Sequence, residues 1–260
     1  MASLASGWRI QRRVIGALMI RELLTRFGRE NIGFLWVMVE PLLFGLLVGL
    51  LWRVARGPEE HGVTIIAFVV TGYLPLTLFR NAVNRSVRIF SVNASLMYHR
   101  QITIVDFVFV RFLIEMIGGM MAYLFVGVLL IYLDLFPIPY NVGWLIAGWV
   151  VYCAFTFSLC LVLAPLSEMS DVLEKIMPVT TYIAIPVCGT FNMVSWVTPG
   201  AQQFLLYSPL VNGMEMMRHG VFGPSVTTYY GFTVPIVGTM FLLALGFTLC
   251  RKVRRTLVVE

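Results

Sequence analysis

Residues 142–166 carry no charged side chain, and neither do residues 231–250. A helix needs about 20 apolar residues to cross a ~30 Å hydrocarbon core. Inside such a core only a helix or a closed barrel satisfies every backbone N–H and C=O, and uninterrupted apolar runs of this length indicate the helix. The chain is therefore read as an integral membrane protein. Composition agrees, because 12% of its 260 residues are charged, whereas soluble domains carry about 25%.

The hydropathy pattern predicts an all-α fold with six transmembrane helices, at 32–52, 63–79, 102–133, 142–166, 176–191 and 231–250. Lysine and arginine set the orientation. Fifteen lie before the first span, around the loop after the second, after the fourth and at the end of the chain; Arg53, Arg56 and Arg218 fall on the other side, and Arg111 within a span. The positive-inside rule then puts both termini in the cytoplasm. Residues 1–31 hold six arginines and no apolar core ending in a cleavage-type site, so the first span is expected to act as its own insertion signal.

Two regions depart from a plain bundle. Ala17, Ile20, Leu23, Leu24 and Phe27 share one helical face, opposite Arg21, Glu22, Thr25, Arg26 and Arg29. This predicts an amphipathic helix in the cytoplasmic interface over 1–31, ahead of one transmembrane domain over 32–260. Residues 176–214 contain no charge, yet Pro178, Pro186, Pro199, Gly200, Pro209 and Gly213 interrupt them. Irregular backbone at membrane depth survives only when buried in protein or lining a cavity. Short re-entrant helices on the outer side are expected over 192–230.

Several chemistries are excluded. A P-loop needs a lysine directly after its glycine, whereas Lys175 follows Glu174 and Lys252 follows Arg251. Any ATP and magnesium therefore belong to a partner ATPase, and this chain is expected to need no cofactor of its own. His61, His99 and His219 lie in different loops, with no metal-ligand spacing and no HExxH or GxSxG motif. No catalytic or metal-binding residue is predicted. Basic residues track the loops without the interleaved aromatics of a nucleic-acid footprint. Cys153, Cys160, Cys188 and Cys250 lie in apolar runs and read as small hydrophobes.

The charges inside the predicted spans are Glu40, next to Pro41, and Asp106, Arg111 and Glu115. A charge at the bilayer centre costs about 2.5–3.5 kcal/mol on insertion scales, so each needs a partner or a cavity. Arg111 and Glu115 stand at i, i+4 and can pair. Three readings stay open for Glu40: an ion pair with Arg111, a polar lining of a translocation path, or a proton relay. Other candidates for such a lining are Trp36, Phe44, Thr180, Thr181 and Tyr182. Pro41 frees a carbonyl one turn back, which favours a kink. The loop over 81–101 carries Ile89, Phe90, Leu96, Met97 and Tyr98 among polar residues and Arg100. Its apolar side chains suit a short helix seated in a groove of a partner.

The stretch Arg26-Phe27-Gly28, then Ile32-Gly33-Phe34-Leu35-Trp36, then Glu40-Pro41 resembles the start of the membrane subunit of bacterial polysaccharide ABC exporters. The run from Pro209 to Arg218 resembles a second element of that family, with Glu215 and Arg218 in place and Ser208 where asparagine is common. The chain is most similar to the capsular polysaccharide export permeases, with O-antigen and teichoic acid permeases as relatives. The resemblance implies a homodimer, two copies of a cytoplasmic ABC ATPase that dock on loop 81–101, and a lipid-linked polysaccharide as cargo. It also implies a periplasmic or outer-membrane polysaccharide export protein and a bacterial inner-membrane location. A drug or lipid exporter of the same fold, or an intramembrane enzyme acting on lipid-linked glycans, are the competing readings.

Overall fold

The computed structural model describes residues 4–27, 33–97 and 102–257, with side chains described except at 4–6, 33–38, 95 and 255–257. Helix α1 spans Leu4–Phe27 and α2 Gly33–Arg56. A two-stranded antiparallel hairpin follows, β1 (Glu59–Glu60) with β2 (Val63–Thr64). Then come α3 (Ile65–Ser86), the short α4 (Ile89–Val92) and α5 (Ala94–Met97), α6 (Ile104–Tyr132), α7 (Val142–Met169) and α8 (Asp171–Ile183). The chain ends in α9 (Pro199–Leu206), α10 (Pro209–Phe222) and α11 (Thr233–Leu257). Single 3-10 turns occupy Pro186–Cys188, Val194–Trp196 and Gly223–Ser225.

Among the described residues, α3, α6, α7 and most of α11 are long and apolar enough to cross a membrane. They coincide with four of the predicted apolar runs. Helix α2 has 24 residues, about 36 Å at 1.5 Å per residue. It continues through Pro41. The predicted fifth span is shorter than expected. Helix α8 has 13 residues and stops at Ile183, about 20 Å and less than a membrane core. Its start moves back to Asp171, where two acids in the first turn suit the positive helix end. Pro186 ends it, because proline clashes with the preceding turn.

Helix α7 is the hub and packs on α10, α11 and α3. Glycine makes the α7–α10 contact possible. A Cβ on Gly148 would sit 2.6 Å from the Met217 amide nitrogen and 2.7 Å from the Gly213 carbonyl oxygen. Small residues let backbones approach this closely where no hydrophobic force drives helices together. Helix α11 is the least enclosed of the four long helices. Its Ile236, Val237, Met240 and Phe241 point outward, which suits contact with lipid. All four cysteines are buried and free. At the far end of α2 the hairpin is tied down by ring stacking. His61 lies 4.6 Å from Trp196, which lies 4.5 Å from Phe68, and Trp52 packs on Phe191 at 5.2 Å.

Candidate functional site

The helix ends gather the charges into a network. Helix α1 lies on α6 through its polar face. Glu22 pairs with Arg111 at 2.9 Å, Arg26 with Glu115 at 2.5 Å, and Gln11 hydrogen-bonds Asp106. Arg21 donates to Asn93 at 2.8 Å. Arg85 at the end of α3 also pairs with Glu115, at 3.1 Å, and its carbonyl accepts from Arg111. Asp106 caps the start of α6 by accepting from the Thr103 amide.

This arrangement corrects three expectations. Arg111 takes Glu22 and not Glu40 as its partner. Arg111 and Glu115 do not pair with each other; each faces a residue of α1. Third, the face of α1 turned toward α6 includes Glu22 and Arg26, while Ile20 and Leu24 are exposed at 62% and 64%. The α6 charges lie within three turns of the helix start, where α1 reaches them. Exposed Ile20, Leu24 and Trp8 still fit a helix at a lipid interface.

The connection after α3 is tied to the connection after α7. Arg88 adopts the left-handed region, φ 51°. Its amide donates to the Ser167 hydroxyl at 2.9 Å, and its guanidinium reaches Asp171 at 2.8 Å and Glu174 at 3.1 Å. One oxygen of Glu168 accepts from the amides of Phe90 and Ser91, at 3.1 and 3.0 Å. These amides open α4 and have no intrahelical partner, so the carboxylate serves as their cap. Ile89 and Phe90 are fully buried, a correction to the expectation that both present apolar surface to a partner. A four-residue helix held at both its amides and its side chains is folded into the bundle. Leu96 and Met97 are half-buried, and Val92 is exposed at 64%. Tyr98 and Arg100 lie outside the described residues.

A second cluster lies on α2, α3 and α8. Glu40 is exposed. Phe44 stacks on Tyr73, with ring centres 6.5 Å apart and planes at 26°. The Tyr73 hydroxyl interacts electrostatically with Arg80, Glu40 and Tyr182. The Arg80 guanidinium lies 3.8 Å above the ring of Tyr182. Phe44 and Tyr182 are more than half exposed. Of the candidates from the sequence, Phe44 therefore stacks on Tyr73, and Glu40 and Tyr182 act on its hydroxyl through charge. Thr180 is exposed on the same helix, its hydroxyl donating to the Ile176 carbonyl. Thr181 is turned inward at 1% exposure, which removes it from this face. The side chain of Trp36 lies outside the described residues.

Tyr73 and Arg80 escaped the sequence reading. Tyr73, Thr77, Arg80 and Asn84 recur at three- and four-residue steps, one face of a helix, and all four are half-buried while most of α3 is enclosed. A span ended at Phe79 hides this stripe, because Arg80 then counts as a loop residue.

Glu215 and Arg218 lie at the opposite end of the bundle. Both are almost wholly buried in α10 and lie 3.7 Å apart. Arg218 donates to the carbonyls of Gly189, Thr190 and Asn192 at 2.8, 2.7 and 3.1 Å, and its guanidinium lies 4.2 Å from the centre of the Phe68 ring. Glu215 accepts from the amides of Val194 and Tyr229. The pair holds two irregular stretches that have no helix of their own to satisfy them. Gly72 permits this, since a Cβ there would lie 2.2 Å from the Thr190 oxygen. Asn212 adds a similar tie, donating to the carbonyls of Leu206 and Ser208 and accepting from Gly231.

These features define a helical membrane protein with an ionic network between α1, α3 and α6 and a buried Arg218–Glu215 clamp apart from it. Residues 13–222 match the ABC-2 type transporter family, and the chain belongs to that family. It is 36% identical over 243 residues to the capsule polysaccharide export inner-membrane protein BexB of Haemophilus influenzae, covering 94% of this chain and 92% of that protein. The capsule polysaccharide export inner-membrane protein CtrC of Neisseria meningitidis serogroup B is 36% identical with the same coverage. The polysialic acid transport protein KpsM of Escherichia coli is 24% identical over 95% of both chains.

Proposed function

We propose that this chain is the membrane permease of an ATP-driven exporter that carries a capsular polysaccharide across the bacterial inner membrane. The observation that carries this reading is the 36% identity to capsule export inner-membrane proteins along 94% of the chain. With no nucleotide-binding motif in its sequence, the permease draws its work from a separate ABC ATPase that binds ATP and magnesium. Six spans with both termini cytoplasmic fit the helix lengths: α3, α6, α7 and α11 cross as single helices, α2 is long enough to join them, and α8 with the turn at Pro186–Cys188 completes the fifth. Helices α9 and α10 then enter from the outer side and return, held by Arg218.

Helices α2 and α8 carry the face that suits a sliding glycan. It offers aromatic rings at Phe44, Tyr73 and Tyr182 and polar groups at Glu40 and Thr180. A homodimer that apposes two such faces encloses a path between them. The exposed Val92, with Leu96 and Met97, is the part of loop 81–101 offered to the ATPase. A periplasmic polysaccharide export protein receives the glycan on the far side.

Deleting the gene in its own cell and staining surface polysaccharide tests the reading. The expected result is loss of surface polymer with polymer retained inside, restored by the plasmid-borne gene. Normal surface polymer in the deletion strain overturns it.

A further inference from the structure

Arg80 stands apart from the ionic contacts described above. It lies in α3 where the apolar run ends, six residues, about 9 Å, before the helix stops at Ser86. Every charge of α6 has a charged or polar partner on α1 or α3, as described above. Arg80 has no carboxylate partner among the described residues, and its Nε is buried without a hydrogen bond. Its guanidinium lies over the face of Tyr182, at 3.8 Å. Stacking engages the flat face of a guanidinium, so its hydrogen bonds come from the fork of N–H donors along the edge. Such a fork matches a carboxylate or phosphate with two parallel hydrogen bonds.

Two further groups shape the place. Tyr73 interacts with Arg80 and Tyr182 and carries a hydroxyl able to donate to an oxyanion. Glu40 acts on the same hydroxyl without pairing with Arg80. A bound anion therefore meets one attractive cation and one repulsive carboxylate. That balance suits cargo that is held briefly and released.

We propose that Arg80, stacked on Tyr182 and flanked by Tyr73, is an anion-binding subsite that takes a carboxylate or phosphate group of the exported glycan at the cytoplasmic end of the path. The inference rests on the export reading above and narrows it to acidic cargo. The anion has two sources, acidic sugars of the polymer or the phosphate of its lipid anchor. Both present the same oxyanion to the same fork.

The test uses the complex of this chain with its ATPase in nanodiscs. The probes are tetragalacturonate, which carries carboxylates, and maltotetraose, which carries none, each titrated calorimetrically into phosphatidylcholine discs. A third arm measures ATPase stimulation on replacing phosphatidylcholine by phosphatidylglycerol. For a sugar source, wild type binds tetragalacturonate about tenfold more tightly than maltotetraose, Arg80→Gln abolishes the difference, Arg80→Lys keeps part of it, and Glu40→Gln enlarges it. For a lipid source, the Arg80→Gln loss appears in the phosphatidylglycerol arm instead. Tyr182→Ala removes the ring under the guanidinium, keeps the charge of Arg80, and gives the same direction of change. Equal behaviour of wild type and Arg80→Gln in every arm, with wild type responding to the acidic probe, overturns the subsite alone. A wild-type complex that hydrolyses no ATP and binds no probe overturns the export reading with it.

Discussion

Arg88 and Asp171 are 83 residues apart in sequence, yet the guanidinium of one lies 2.8 Å from the carboxylate of the other. With Glu168 seated on the amides of Phe90 and Ser91, this contact joins the connection after α3 to the connection after α7. The contact ties α4 to the start of α8, the helix that carries Tyr182.

Cutting this joint should separate ATP hydrolysis from export. Glu168→Ala removes the acceptor of two amides, and Arg88→Ala removes both ion pairs. Each variant is expected to assemble with the ATPase and hydrolyse ATP within about twofold of wild type, while export falls about tenfold, a loss of about 1.4 kcal/mol of coupling. Surface polymer and phosphate release, measured side by side, check this. Parallel loss or parallel retention of the two activities contradicts it.

Phe90 and Val92 should respond differently to a charge. Phe90 is fully buried, so Phe90→Glu places a carboxylate in the core and is expected to cost more than about 4 kcal/mol and abolish the folded protein. Val92 is exposed, so Val92→Glu should leave a monodisperse protein that no longer retains the ATPase on co-purification. Stable Phe90→Glu protein with intact ATPase binding speaks against the burial.

A double-mutant cycle identifies the partner of Arg111. Neutralising Glu22 and Arg111 together should show a coupling of about 0.5–3 kcal/mol in unfolding, whereas Glu40→Gln and Arg111→Gln should add within about 0.5 kcal/mol. Coupling between Glu40 and Arg111 as large as that of the Glu22 pair contradicts the geometry.

Arg218 should resist conservative replacement. It serves three carbonyls and a carboxylate from one buried fork, and breaking a buried pair from one side costs about 3–5 kcal/mol. Lysine has a point charge and no fork, so Arg218→Lys should lose nearly as much as Arg218→Ala. Thermal unfolding of the purified variants measures it, and near-wild-type stability of the lysine variant would count against the clamp.

The contrast between these sites explains what the sequence could convey. Four long helices were legible because an apolar run of sufficient length has one inexpensive conformation in lipid. The irregular segment before α11 was legible from its prolines and glycines. The partners of Arg111 and Glu115 were not, because Glu22 and Arg26 each reach across 89 residues to a helix that periodicity alone leaves unplaced. The amphipathic face of α1 pointed to a lipid interface and gave no sign that its polar side would find counter-charges on α6. The burial of Phe90 is hidden for a related reason: a four-residue helix has no period from which an inward face can be read. Arg80 was lost to a boundary, since α3 keeps its helix for seven residues after Phe79 before Val87 turns extended. Glu40, Phe44 and Tyr182 stand out in the sequence by residue type alone, and the fold relates them to Tyr73, which has no distinguishing neighbour in sequence.

A photo-crosslinking residue placed in turn at Phe44, Tyr182 and Phe241, with the exporter stalled by a hydrolysis-deficient ATPase, locates the path of the glycan. All three positions are exposed in the single chain, so access by itself does not distinguish them. Crosslinked polymer at Phe44 and Tyr182, with none at Phe241 on the lipid-facing side of α11, is the expected outcome. Polymer captured at Phe241, with Phe44 and Tyr182 silent, contradicts a translocation face built from α2, α3 and α8.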